Sequence, residues 1–415
     1  MTTSFTSIRG LRTVVIVAMI LIEFGSLKMH WGDVVDLKPD FAALYGTAEI
    51  MRAGKRPHYN PSTIQGIDVG YDSTSAKPAQ PPQAKTDSLH PPFESLLFLP
   101  LTFFSYKVAY LTWYCLSLLL LWCTPLVLWL YLPHLHRDFH FIAILLGSML
   151  PVLACLITGQ DSILLLFLVS CSYVSLQGRR DVTGGFLLGL GMFKFQLILP
   201  IVAVLLLARA WRVVAGFGIA LFALILGSFA LVGVRTTIAY VPFVLAFSKH
   251  ISENLSPRTV LMPNLRGMVS LIFGGTLSPS AQTILILLIS GVLFGVVASW
   301  YLRNPSLPTS LKFSALVMMS CLVSYHFYVH NAVLLVLPLF LLANYFAGAQ
   351  ENRAVTLAFA TIAILMYIVP VLAPLNIGVQ VLGIGSLCLL VLLIAYPGFA
   401  RLSKPALSSH THRTA

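Results

Sequence analysis

Apolar runs of about twenty residues, each long enough to cross a bilayer, follow one another along almost the whole chain. That pattern confines the fold to helices in a membrane, because lipid offers no partner to an exposed peptide group. Composition agrees. Of 415 residues, 58% are hydrophobic and only 10% charged, against roughly 25% charged in soluble domains. The formal net charge is +12, which in a soluble protein would suggest nucleic acid. Here the cations sit in short loops between apolar runs. They fit the positive-inside pattern and contact with headgroups and phosphates, and no basic face for nucleic acid is present.

The pattern predicts about twelve spans, near 11–29, 107–132, 140–158, 162–177, 182–194, 196–209, 213–234, 282–302, 311–328, 331–347, 354–373 and 380–397. The segments 182–194 and 196–209 are short, as tilted, broken or re-entrant helices are. Arg9-Gly10-Leu11-Arg12 followed by Val14 to Ile22 has the outline of a signal peptide. No small-residue cleavage site follows, so it reads as an uncleaved first span. Arg137, Arg179, Arg180, Arg209, Arg212, Arg303, Lys312, Arg353, Arg401, Lys404 and Arg413 then fall on the side of the N-terminus. This predicts a multi-pass protein of the cell (inner) membrane with both termini cytoplasmic, the tail 398–415 included.

The whole chain, 1–415, reads as one integral membrane domain. Two long loops, 30–106 and 235–281, lie on the outer side, where a site on a helix bundle is usually built. Within the first, Phe41, Leu44, Ala48 and Met51 recur at helical spacing behind Asp40. They predict an amphipathic interfacial helix, stopped by Gly54 and Pro57. The stretch 62–88 is rich in Ser, Pro, Gln and Ala and lacks apolar residues for a core. Phe93 to Phe104 is apolar but too short to span. The six cysteines (Cys115, Cys123, Cys155, Cys171, Cys321 and Cys388) all lie in apolar runs without a CxxC pair, which argues against disulfides and zinc.

Ionisable residues at membrane depth are costly and usually face a cavity. On the outer half they are Glu23, Asp40, Glu49, His90, Glu94, Asp161, Lys194, Lys249, His250, Arg258, Arg266, His326 and His330. Asp40 could be a general base toward a hydroxyl, or only a helix N-cap. Lys194 has no acid beside it in sequence and suits a phosphate, unless it snorkels to headgroups. His326 and His330 would share a face if their stretch is helical. The zinc-protease pattern needs Glu where Phe327 stands, so phosphate or substrate hydrogen bonding outranks metal; an aromatic and histidine belt is the plain alternative. Arg266 would form a fork for phosphate.

In order along the chain stand Asp40-Phe41 with Tyr45, Ala53-Gly54, Pro57-x-Tyr59-x-Pro61 and His90-Pro91-Pro92-Phe93 with Pro100-Leu101. Gly159-Gln160, Gly184 to Lys194, Asn264-Leu265-Arg266-Gly267 and Tyr325-His326 through His330 follow. This set resembles glycosyltransferase family 87, whose members use polyprenol-phosphate-mannose. The resemblance implies an all-α, GT-C-like bundle with interfacial helices in the first outer loop. It implies a polyprenyl-phosphate-linked sugar donor, best taken as mannose, and a lipid or glycan acceptor. Transfer inverts the anomeric carbon on the extracytoplasmic face, with no cofactor. By the same resemblance the catalytic carboxylate is Asp40. The resemblance also carries over Lys194, His326 and His330, and these with Arg266 are the candidates to meet the donor phosphate. Tyr45, His90, Gln160 and Asn264 are the candidate sugar and acceptor contacts. The chain departs from the family's pattern in having His90 where Tyr precedes Pro-Pro, Phe195 and Gln196 after the lysine, and the added stretch 62–88. With three or four such donors for the phosphate, no metal is expected. A transporter or lipid-linked-glycan flippase is the competing class; it usually shows paired halves, and none is visible.

Overall fold

The computed structural model describes residues 24–36, 40–57, 59, 90–253, 257–348 and 353–395, with isolated residues between 13 and 21. Side chains at 248–258 are not among them. The stretch 62–88, the tail 398–415, most of the expected span 11–29, and the side chains of Glu23, Lys249, His250 and Arg258 therefore lie outside the described residues. Every described element is helical, as lipid requires.

In chain order the main helices are α1 (Phe41–Arg52), α2 (Tyr106–Leu128), α3 (Phe139–Gly147), α4 (Leu150–Thr158), α5 (Ser162–Gln177), α6 (Asp181–Leu190), α7 (Phe195–Leu207), α8 (Trp211–Val232), α9 (Val234–Glu253), α10 (Leu265–Phe273), α11 (Pro279–Arg303), α12 (Thr309–Val323), α13 (Val336–Gly348), α14 (Arg353–Leu372) and α15 (Leu375–Ala395). Seven helical runs among the described residues are long and apolar enough to span, or eight counting α3 and α4, which are bent by 57° at their junction. This is fewer than the twelve expected. Part of the difference lies in α5 and α12, which fall short of a full crossing. Protein covers α12 almost completely from Phe313 to Leu322, and a helix sheathed by its neighbours need not reach both headgroup layers.

One of the seven runs, Asp181–Leu207, is not a straight crossing. A straight helix would place Leu207 about 37 Å from Val182. Gly216 nevertheless lies against the Val182 carbonyl. The segment from Leu207 to Gly216, helical from Trp211 onward, reaches only about 22 Å. The run must turn sharply at the 3-10 segment Gly191–Lys194, where Lys194 leaves helical geometry (φ −112°, ψ 56°). Its two arms are the short segments expected from sequence. The turn brings the starts of α6 and α8 together, and Gly185 and Gly216 allow it. A Cβ on Gly185 would collide with the Val213 carbonyl, and one on Gly216 with that of Val182.

The helix expected after Asp40 is present as α1, with Phe41, Leu44, Ala48 and Met51 all buried. Residues 92–103 form a run of short helical turns with Phe98 and Leu101 buried. The second long loop is largely helical. Its α9 exposes Val234, Ile238, Val241 and Leu245 at spacings of three and four, one apolar face of a helix.

Candidate functional site

The ionisable residues converge where the start of α1, the α4–α5 turn, the break between α6 and α7, and the segment after α12 meet. The start of α1 is held by Phe41. Its ring is fully buried and lies edge-on to Tyr110 at 5.5 Å between centroids. The α4–α5 turn reaches it through Gly159. This residue sits at φ 66°, and a Cβ there would stand 2.6 Å from Cβ of Phe41. Glycine meets both demands, a left-handed backbone and a close approach. Replacing Gly159 by Ala is expected to cost about 1–3 kcal/mol of stability. It should lower activity further than stability alone explains, because Phe41 carries Asp40 with it. Thermal unfolding beside a transfer assay checks this; unchanged activity in the folded variant would detach the turn from the site.

Asp40 occupies the N-cap position of α1, but its carboxylate makes no capping bond. Nε2 of Gln160 instead donates to its Oδ2 at 2.9 Å. The other end of that amide, Oε1, accepts from Nζ of Lys194 at 2.9 Å. Lys194, only 6% exposed at the break, also lies 2.9 Å from Oδ1 of Asp161. The lysine without an acid beside it in sequence thus has one in space. Glu94 lies within electrostatic reach of both Asp161 and Lys194. Nδ1 of His90 stands 2.7 Å from Oε1 of Glu94. Tyr59 closes this side by donating to the His90 carbonyl at 3.0 Å.

Burial dominates the electrostatics. It pushes the Glu94 carboxyl up to about 7 and that of Asp161 up to about 6, with Lys194 opposing the rise in both. It pushes His90 down to about 4, and Lys194 adds to the fall. At neutral pH His90 is therefore an uncharged imidazole, and the two acids stand close to their titration range.

A second group lies alongside. Asn264 caps α10 by accepting from the Gly267 amide at 2.9 Å and donates to the Ser324 carbonyl at 2.6 Å. Arg266, 2% exposed, donates to the Tyr325 carbonyl at 3.3 Å and lies over the Tyr325 ring at 4.1 Å. Burial lowers the affinity of Arg266 for its proton. His326 stands against Phe247, and its buried Nε2 has no hydrogen-bond partner among the described residues. Burial, then Arg266, pushes it down to about 3. Gln196 links the two groups by donating to the His326 carbonyl at 3.5 Å.

Asp40, His90, Gln160 and Lys194 thus come together, with Arg266 and His326 in the adjoining group. His330 lies within electrostatic reach of Lys194 and His90. The two histidines do not share a helical face. His326 lies outside any helix, and His330 is in the 3-10 segment Val329–Leu335. Tyr45 is not drawn in; its hydroxyl donates to the Phe104 carbonyl at 2.8 Å. Asp161 and Glu94 stand among the ionisable residues of the sequence without an assigned role, yet they sit at the centre. The signal for Asp161 was its place beside Gly159-Gln160. Nothing local marks Glu94, which arrives by packing.

The profile of glycosyltransferase family 87 matches residues 89–324. That stretch includes His90, Glu94, Gln160, Asp161, Lys194, Asn264 and Arg266, while Asp40, His326 and His330 lie beyond it. No curated protein and no solved structure matches the chain. The matched stretch is more than half of the chain and sets aside the transporter alternative. On that match the chain belongs to glycosyltransferase family 87 and is a membrane-embedded glycosyltransferase.

Proposed function

We propose that the chain transfers a hexose or pentose, best taken as mannose, from a polyprenyl-phosphate donor to a hydroxyl of a lipid or glycan. The transfer inverts the anomeric carbon and takes place on the extracytoplasmic face. One observation carries this reading: a single amide, Gln160, holds a carboxylate at one end and an ammonium at the other. Inversion needs a base on one side of the anomeric carbon and charge compensation for the leaving group on the other.

Asp40 takes the proton of the attacking hydroxyl as the new glycosidic bond forms. The bond from the anomeric carbon to phosphate oxygen breaks, and the leaving polyprenyl phosphate carries the electron pair. Lys194 and Arg266 meet that charge, with His326 and His330 as neutral donors. His90 and Gln160 face the sugar and acceptor. Tyr45 and Asn264 position backbone, since their polar atoms are already bonded to it.

The test is transfer by the purified chain from polyprenyl-phosphate-mannose, and from other polyprenyl-phosphate sugars, to a membrane lipid extract. We expect transfer that EDTA leaves unchanged, because side-chain cations serve the phosphate. Activity lost with EDTA and restored by a divalent ion would refute the metal-free mechanism. Failure with every lipid-phosphate donor, given a competent acceptor, would refute the donor class.

A further inference from the structure

The far ends of α11 and α15 border a groove that the candidate site does not use. The start of α11 is tied to α10, which carries Arg266, where Gln282 donates to the Phe273 carbonyl at 3.4 Å. Arg303 closes the same helix, Pro279–Arg303, about 36 Å further along the axis. The groove therefore opens on the membrane face opposite the site. Gly295, Val296, Trp300 and Arg303 of α11 line it with Ile394 of α15, around a volume of about 610 Å³. Small-ligand sites run from roughly 300 to 1,000 Å³. Toward the bilayer interior its wall is apolar, with Val292 and Val296 exposed. A Cβ on Gly295 would meet nothing within 4 Å, so the groove is open down to the α11 backbone. At the surface end stand Trp300 and Arg303. An apolar wall below and a cation above match the layout of a lipid, and tryptophan and arginine are usual interfacial contacts.

Among the described residues Arg303 forms no ion pair with an acid. The sequence explains why. From Asn254 to Ala415 the only acid is Glu351, and it shares a loop with Arg353. Lys312, the neighbouring cation, lies over the Tyr301 ring at 4.1 Å, which leaves Arg303 as the charge that lines the groove. Nδ2 of Asn304 donates to the Trp300 carbonyl at 2.8 Å, so one helix-end acceptor that would repel a phosphate is already occupied. Residues 396–415 carry Arg401, Lys404 and Arg413 and no acid, so their charge offers Arg303 repulsion rather than a partner. We propose that this groove binds an anionic phospholipid of the leaflet opposite the site, with its phosphate on Arg303 and one acyl chain laid over Gly295 between Val296 and Ile394. Binding here does not depend on the lipid-phosphate reading of the transfer site.

In the experiment the full chain is stripped of lipid in a neutral detergent. Phosphatidylglycerol or phosphatidylcholine with the same acyl chains is then titrated in, and bound lipid is counted by native mass spectrometry. One phosphatidylglycerol should bind about tenfold more tightly than phosphatidylcholine, the worth of a charge-assisted hydrogen bond. Arg303→Gln should weaken phosphatidylglycerol by about that factor and leave phosphatidylcholine unchanged. Gly295→Phe fills the groove from its floor without displacing a neighbour, so it should keep the native unfolding temperature and lose the tight lipid. Arg353→Gln, outside the groove, should bind as the native chain does. Equal affinity for the two lipids overturns the proposal, as does either groove variant that keeps native binding. An equal loss in Arg353→Gln also overturns it, since the basic face as a whole would then attract the lipid. Displacement of the lipid by equimolar glycerol phosphate would assign Arg303 to a soluble phosphate instead. A native dimer that Gly295→Phe splits, with phosphatidylglycerol affinity unmoved, would assign the groove to a second copy of the chain.

Discussion

Asp40→Asn is expected to lower the rate of sugar transfer by about a hundredfold or more, the usual worth of a general base. The substitution keeps size and shape. An asparagine oxygen can still accept from Nε2 of Gln160, as Oδ2 of Asp40 does at 2.9 Å. The side chain makes no capping bond that would be lost. The variant should therefore fold, hold Gln160 and Lys194 in place, and bind the donor phosphate with native affinity. What it lacks is a group that accepts the hydroxyl proton. Single-turnover transfer beside phosphodiester affinity separates the two effects. A rate within tenfold of native would remove Asp40 from the role of base. Binding that falls together with the rate would mean that Asp40 holds the site's shape rather than its chemistry.

Lys194→Met is expected to damage both stability and function, for separable reasons. The lysine is the cation held by Asp161. Removing one partner of a buried ion pair leaves an uncompensated charge and costs roughly 3–5 kcal/mol. Unfolding in detergent should show this loss, and it should deepen as pH rises and the acids ionise. Adding Asp161→Asn to Lys194→Met removes the stranded charge, so most of the stability should return. Transfer should not return, because the cation for the departing phosphate is still missing. A single variant as stable as the native chain would mean that the carboxyls do not depend on Lys194. A double variant that regains transfer would place the phosphate elsewhere.

Local sequence properties were enough for some of the site. Asp40 is marked by the helix that starts behind it, and Lys194 by the apolar runs on both sides. The sharp turn between α6 and α7 shows as two apolar segments too short to span. Glu94 and Asp161 were not legible as partners. They stand 67 positions apart, and no periodicity or motif encodes a tertiary approach of that kind. The pair His326 and His330 misled for a related reason. A spacing of four means a shared face only in an α-helix, and here the chain bends at His326 and turns 3-10 from Val329.

Composition and periodicity by themselves determined the membrane class, the all-helical architecture and most helix positions, because transfer of apolar surface and of peptide groups into lipid depends on residue type and run length alone. The tertiary structure decided which acid faces which cation, and that Gln160 joins Asp40 to Lys194. Those facts depend on distances between segments remote in sequence, and electrostatic energy in a dry interior is set by such distances, whatever the order of the residues along the chain.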